Sequence, residues 1–144
     1  MYRIVIAVDT DEERAMQAVD YVTGLVDDGL IENPDEVAVT ICNVFEEFTA
    51  VDDGGRVSSD ELFDPDNLPD AVVTVHEALE AAGLDVEVVR RHGDAAAEIV
   101  DCADSRNADV LVVPTRERSP VGKAIFGSVT QEVILETDRP VTVL

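Results

Sequence analysis

The sequence predicts an α/β fold in which five parallel strands form one doubly wound sheet with helices on both faces. Three observations carry this. Short β-branched runs alternate with segments of helical period along the 144 residues, the pattern left by successive strand–helix–strand crossovers. The run Ile4 to Val8 is apolar at every position rather than at alternate ones, as a central parallel strand covered on both faces requires. Turn and cap residues stand at the joins.

Taken in order, the first strand ends on Asp9. Thr10 and Glu13 have capping-box spacing, and Ala15, Val19, Val22 and Val26 recur at helical spacing until Asp28-Gly29 stops the helix. After the Asn33-Pro34-Asp35 turn, Val37, Val39 and Ile41 mark the second strand. Leu68, Val72, Val75, Leu79 and Ala82 share one helical face, with Gly83 placed to end it. Val86, Val88 and Val89 mark the third strand, and Gly93-Asp94 opens a helix through Ile99, Val100 and Ala103. The fourth strand, Val110 to Val113, breaks at Pro114. Beyond it Ser128 and Gln131 repeat the capping-box spacing, Val129, Val133 and Ile134 supply a buried stripe, and Pro140 sets off the last strand, Val141 to Leu144.

The segment from Glu46 to Asp66 has no usable period and reads as a solvated loop. At about 20 residues it is long for a connection in a compact domain. Eight of its residues are acidic, yet Phe48 and Phe63 lie within it and Phe45 stands at its edge. Those rings are expected to pin the loop to the body, because exposed apolar aromatics would gain no burial.

Length and composition predict one domain over residues 1–144. No apolar run approaches the roughly 20 residues that cross a bilayer, and the first residues show no secretory pattern, so a soluble, cytoplasmic protein is expected. Against 32 acidic residues stand 10 basic ones, for a net charge of −22, and Lys123 is the only lysine. Such a chain repels phosphate backbones and anionic membranes, which opposes nucleic-acid and membrane partners. Acids spread along every exposed segment look like a halophile's proteome, adapted to molar salt. Cys42 and Cys102 fall in apolar segments without metal-ligand spacing, so buried reduced thiols and no metal site are expected.

The stretch Asp109 to Gln131, DVLVVPTRERSPVGKAIFGSVTQ, concentrates the functional signal. Three of the ten basic residues, Arg116, Arg118 and Lys123, fall within eight positions there, accompanied by one acid, Glu117. The loop runs from a buried strand to a helix start, where free N–H groups and the helix dipole favour an anion. An anion site is expected in this loop.

The same stretch resembles the signature of the universal stress protein family. Its nucleotide-binding members carry a glycine at the end of the fourth strand, a second after two intervening residues, and Gly-Ser or Gly-Thr after nine more. Here those positions are Pro114, Glu117 and Gly127-Ser128. IVIAVDTDEERAMQAV is similar to the family's opening strand, acidic turn and helix, GDAAAEIV to its third helix start, and PVTVL to its closing strand. The resemblance implies strand order 3-2-1-4-5, an adenine nucleotide alpha hydrolase-like fold, and a crevice between strands one and four. It also implies that Asp9 lies near a bound adenosine, that Ala7 and Val44 line the base, and that Gly127, Ser128 and Val129 hold phosphate.

Two substitutions oppose a triphosphate. Pro114 has no N–H to donate where glycine would permit close approach, and Glu117 repels phosphate. The leading reading is therefore a non-enzymatic, dimeric stress-adaptation regulator with a small-anion or phosphate site in the 114–128 loop. The alternative is an ATP- or AMP-binding member with slow ATPase activity. A homodimer through the edge strand Val141 to Leu144 is expected, with a further protein partner as an open possibility. A phospho-receiver domain is discarded, because the third strand ends Arg90-Arg91-His92-Gly93 and not on an aspartate. Neither His76 nor His92 has a nucleophile or carboxylate placed by sequence to form a triad, and neither is assigned a catalytic role.

Overall fold

Ile4, Val5 and Ile6 are each fully buried because their strand, β1 (Tyr2–Ala7), runs through the middle of a five-stranded parallel sheet. The computed structural model describes residues 1–46, 49–52, 55–58, 62–114, 117–118, 124–125 and 127–144, with only the backbone of 49–52, 55–57, 117–118 and 124–125. Beside β1 lies β2 (Val37–Glu46), and beyond it β5 (Asp85–Gly93). On the other side lie β6 (Val110–Val113) and then β9 (Val141–Val143) at the edge. Numbered among themselves, the five strands take the order 3-2-1-4-5, as the family resemblance implies. Between them run α1 (Glu12–Asp27), α2 (Asp70–Ala81), α3 (Ala95–Ser105) and α4 (Ser128–Glu136).

Alternation along the strands divides the core in two. Ile4, Ile6, Val39 and Ile41 pack against α1 and α2 through Val19, Val22, Val72 and Leu79. Val5, Ala7, Cys42 and Leu111 pack against α3 and α4 through Ile99, Cys102 and Val133. Gly83 ends α2 at φ +85°, a left-handed conformation in which a Cβ would be strained.

Four local expectations are corrected. The N-cap of α1 is Asp11, whose carboxylate accepts the Arg14 N–H at 2.9 Å; Thr10 lies one residue too early. Ser128 is the first helical residue of α4 rather than its cap, and Gly127 takes the cap position with no side-chain cap bond. Ile134 is 41% exposed, and Thr130 is buried with Val133 instead. The 46–66 segment is not wholly irregular: β3 (Thr49–Asp52) and β4 (Gly55–Ser58) pair as an antiparallel hairpin. A second short hairpin joins β7 (Glu117–Arg118) to β8 (Ala124–Ile125).

The aromatic anchor of the long segment is present. Phe63 lies 5.8 Å from the Phe45 ring and stacks on His92 at 5.2 Å, with the Arg90 guanidinium 5.6 Å from each phenyl ring. Phe48 lies outside the described residues. Farther along β5, Glu87 accepts hydrogen bonds from Arg106 and from Thr40 at 3.1 Å. The Arg106 guanidinium holds this carboxyl below its usual range, and burial opposes the shift. Among the described residues no helix is long and apolar enough to cross a membrane.

Candidate functional site

The chain leaves β1 toward β2 on one side, while β6 and β9 lie on the other. The carboxyl ends of β1 and β6 therefore part to leave a crevice, the position at which open α/β sheets bind ligands. A cavity of about 220 Å³ occupies it. Seven of the ten expected site residues line this cavity: Ala7, Asp9, Val44, Pro114, Gly127, Ser128 and Val129. Arg116 and Lys123 lie outside the described residues, and Arg118 is placed only as backbone on β7.

One wall is built from the loop after β1. Asn43 is buried, and its Nδ2 donates to the Val8 carbonyl at 2.8 Å, holding the strand end. Asp9 then turns the chain, with Oδ1 accepting the Asp11 N–H at 2.9 Å. Its other oxygen accepts from Arg14 Nη2 at 2.8 Å, and Arg14 Nη1 stands 3.6 Å from Asp11. Glu46 also lines the cavity, so among the described lining residues two carboxylates, Asp9 and Glu46, accompany one cation, Arg14.

The opposite wall is built from backbone. The first α-helical bond of α4 runs from Gln131 N–H to Gly127 O at 3.1 Å, which leaves the N–H groups of Ser128, Val129 and Thr130 without intrahelical acceptors. The Thr130 hydroxyl donates to the Pro114 carbonyl at 3.1 Å and ties the helix start to the end of β6. Ser128 is exposed. Partial positive charge at the helix start and three convergent N–H donors can hold an anion.

Between the walls lies an apolar floor of Ala7, Cys42, Val44, Ile99 and Val113. The Cys42 thiol is buried beside the Cys102 thiol of α3, and this neighbour together with burial pushes it far up, so it stays a neutral, apolar part of the floor. Among the described residues no cluster of three or more metal-ligating side chains occurs.

Arg14, Asn43 and Thr130 are absent from the expected site. Asn43 is signalled by a single amide inside the apolar run Thr40 to Phe45. Arg14 is signalled by a cation five residues after Asp9 in a chain poor in cations. Thr130 carries no local signal, because its partner is 16 residues away.

The sequence model of the universal stress protein family matches residues 1–144. The chain belongs to the universal stress protein family. A universal stress protein of Mycolicibacterium smegmatis is 40% identical over 68 residues, a match covering 46% of this chain and 52% of that one. The structure of a universal stress protein from Archaeoglobus fulgidus superposes with a TM-score of 0.71 at 25% identity, over 99% of this chain and 98% of that one. A structure of the Archaeoglobus fulgidus universal stress protein in complex with dAMP matches with a TM-score of 0.63 at 21% identity, over 99% and 97% of the two chains. Within the universal stress protein fold, the described cavity lies at the carboxyl ends of the first and fourth strands of the sheet.

Proposed function

We propose that this universal stress protein is a regulator that binds an adenine mononucleotide in the β1–β6 cavity as a signal. The carrying observation is that one cavity joins an apolar floor, a carboxylate at Asp9 and an uncapped helix start at Ser128. An aromatic base packs against Ala7 and Val44, and a single phosphate accepts from the α4 N–H groups. The dAMP complex of the Archaeoglobus fulgidus protein supports the ligand class. A triphosphate extends toward Pro114, which has no N–H to donate.

Calorimetry with AMP and ATP in 2 M KCl tests this. AMP is expected to bind at least about tenfold more tightly than ATP, a difference of about 1.4 kcal/mol. Ser128→Pro removes one N–H while fitting the first helical position, and is expected to weaken AMP binding more than Ser128→Ala does. ATP binding tighter than AMP binding, followed by slow hydrolysis, would establish the ATPase alternative instead.

The protein acts as a cytoplasmic homodimer in concentrated salt. Leu144 N–H bonds inward to Val113 at 3.1 Å, so by alternation the Val143 N–H faces the free edge of β9. Val143→Pro should give a monomer by sedimentation, and a dimer unaffected by it would remove the edge-strand interface. Screening of the net −22 charge should raise the melting temperature between 0.1 M and 2 M KCl. An equal or lower value in concentrated salt would overturn the halophilic adaptation.

A further inference from the structure

A second groove, of about 500 Å³, lies at the amino ends of β1 and β2, at the far end of β1 from the nucleotide cavity. Along it Tyr2 of β1 and Tyr21 and Leu25 of α1 meet Leu30 and Ile31 of the connection to β2. The turn after α1 fixes this arrangement. Gly29 takes φ +76°, the left-handed conformation that ends a helix, and the Ile31 N–H donates back to the Leu25 carbonyl at 2.9 Å. Ile31 packs on the core, while Leu30 is left 74% exposed and Tyr2 44%. One exposed leucine is ordinary on a protein surface. A leucine presented by a closed turn, beside an exposed tyrosine and along a groove, has the form of an interaction site.

Charge decides what covers it. Residues 27–36 carry five acids, Asp27, Asp28, Glu32, Asp35 and Glu36, all exposed, and no base. Glu32 and Glu36 line the groove and no lining side chain is cationic; the Met1 amino group offsets one of them. Arg3 alternates to the other face of the sheet from Tyr2. A second copy is disfavoured, because a two-fold contact through this face sets the five acids against the same five. Nucleic acid and anionic membranes are repelled in the same way. A free small molecule is poorly enclosed by walls this exposed, whereas small-molecule sites bury most of their ligand. An apolar centre ringed by acids is the complement of a polypeptide segment whose apolar side chains are flanked by lysine or arginine.

We propose that this groove docks a basic, apolar segment of a partner protein, with an apolar side chain against Leu30, Tyr2 and Tyr21 and cations over Glu32 and Glu36. The docking site is independent of the nucleotide reading, since groove and cavity share no lining residue.

The test is fluorescence anisotropy of three short dye-labelled peptides, of alternating leucine–lysine, leucine–glutamate and serine–lysine, with the full chain in 1 M KCl. At that salt the Debye length is about 3 Å, so the long-range pull of the −22 chain on any cation is suppressed. The leucine–lysine peptide should bind with a Kd below about 100 µM, and the other two at least about tenfold more weakly. Leu30→Ser, and Glu32→Gln combined with Glu36→Gln, should each weaken it about five- to tenfold. Leu135→Ser, at a site 84% exposed on α4, and Glu132→Gln combined with Glu136→Gln on the same helix should change it by less than about twofold, with melting temperature as the fold control. No binding of the leucine–lysine peptide up to about 1 mM would overturn the proposal. Equal losses in the α4 variants would overturn it too, by making the attraction a general surface effect, and so would equal binding of the leucine–glutamate peptide. A shift toward monomer in Leu30→Ser by sedimentation would assign the groove to a second copy instead, and hexylamine binding as tightly as the peptide would assign it to a small apolar cation; either result overturns a protein partner.

Discussion

The two walls of the cavity solve the same problem with different parts of the chain. The β1 wall is made of side chains, with Asn43 on the Val8 carbonyl and Arg14 on Asp9. The β6 wall is made of main chain, with the uncapped start of α4 tied by Thr130 to the Pro114 carbonyl. Side chains supply charge and direction that one substitution changes. Main-chain donors depend on the helix remaining where it is, and tolerate substitution of the residues that carry them. The contrast implies that ligand choice is set at the first wall and anion binding at the second.

The largest expected effect comes from breaking the support of the first wall. Asn43→Ala leaves the Val8 carbonyl buried without its partner and opens a cavity, at an expected cost of about 2–4 kcal/mol. Thermal melting in 2 M KCl should fall by roughly 5–15 °C; a change below about 2 °C, as expected of an exposed site, would show that Asn43 does not hold the strand end. Next comes the chemistry of the second wall. Changing Pro114 and Glu117 together to Gly restores an N–H and removes a repelling charge, and ATP affinity measured by calorimetry should rise about ten- to a hundredfold. No gain would mean that neither residue is what excludes the triphosphate.

A smaller effect is expected where the second wall is tied down. Thr130→Val keeps the side-chain shape but removes the donor to Pro114, costing about 1–2 kcal/mol by melting. AMP affinity should fall with it, since the helix start loses its fixed distance from β6; unchanged affinity would show that α4 is positioned by packing alone. The smallest effect lies away from both walls and serves as their control. Because the folded Glu87 carboxyl sits below its ordinary value of 4.5, its pairing stabilises the protein above that value and the contribution is lost as the pH falls through the lower, folded one. The pair is half exposed, with side-chain accessibilities of 36% and 51%, so the contribution is screened to a few tenths of a kcal/mol. Glu87→Gln should melt slightly below wild type at pH 7, converge with it in acid once the folded Glu87 carboxyl is protonated, and bind AMP unchanged. A gap that widens in acid would reverse the sign assigned to this pair.

What the sequence determined by itself is whatever rests on short-range pattern. Ile4 to Val8 and Val110 to Val113 had to be buried strands because every position is apolar, and Val72, Val75 and Leu79 had to face a core because their spacing places them on one side of a helix. The turn at Asp9 after β1 and the helix start at Gly127-Ser128 were legible for the same reason, as were Phe45 and Phe63 as anchors. Spacing could not choose between Thr10 and Asp11 as the cap, because both side chains can accept and only the backbone path of the turn decides which one meets a free N–H. Only the tertiary structure brought Thr130 to Pro114, 16 residues away, Asn43 to Val8, 35 residues away, and Cys102 to Cys42 across two elements. These contacts depend on strand order and helix placement, which no local period encodes. Arg14 lies between the two cases: its distance from Asp9 was visible in the chain, but that its Nε would be buried without an acceptor followed only from how α1 packs over the end of the sheet.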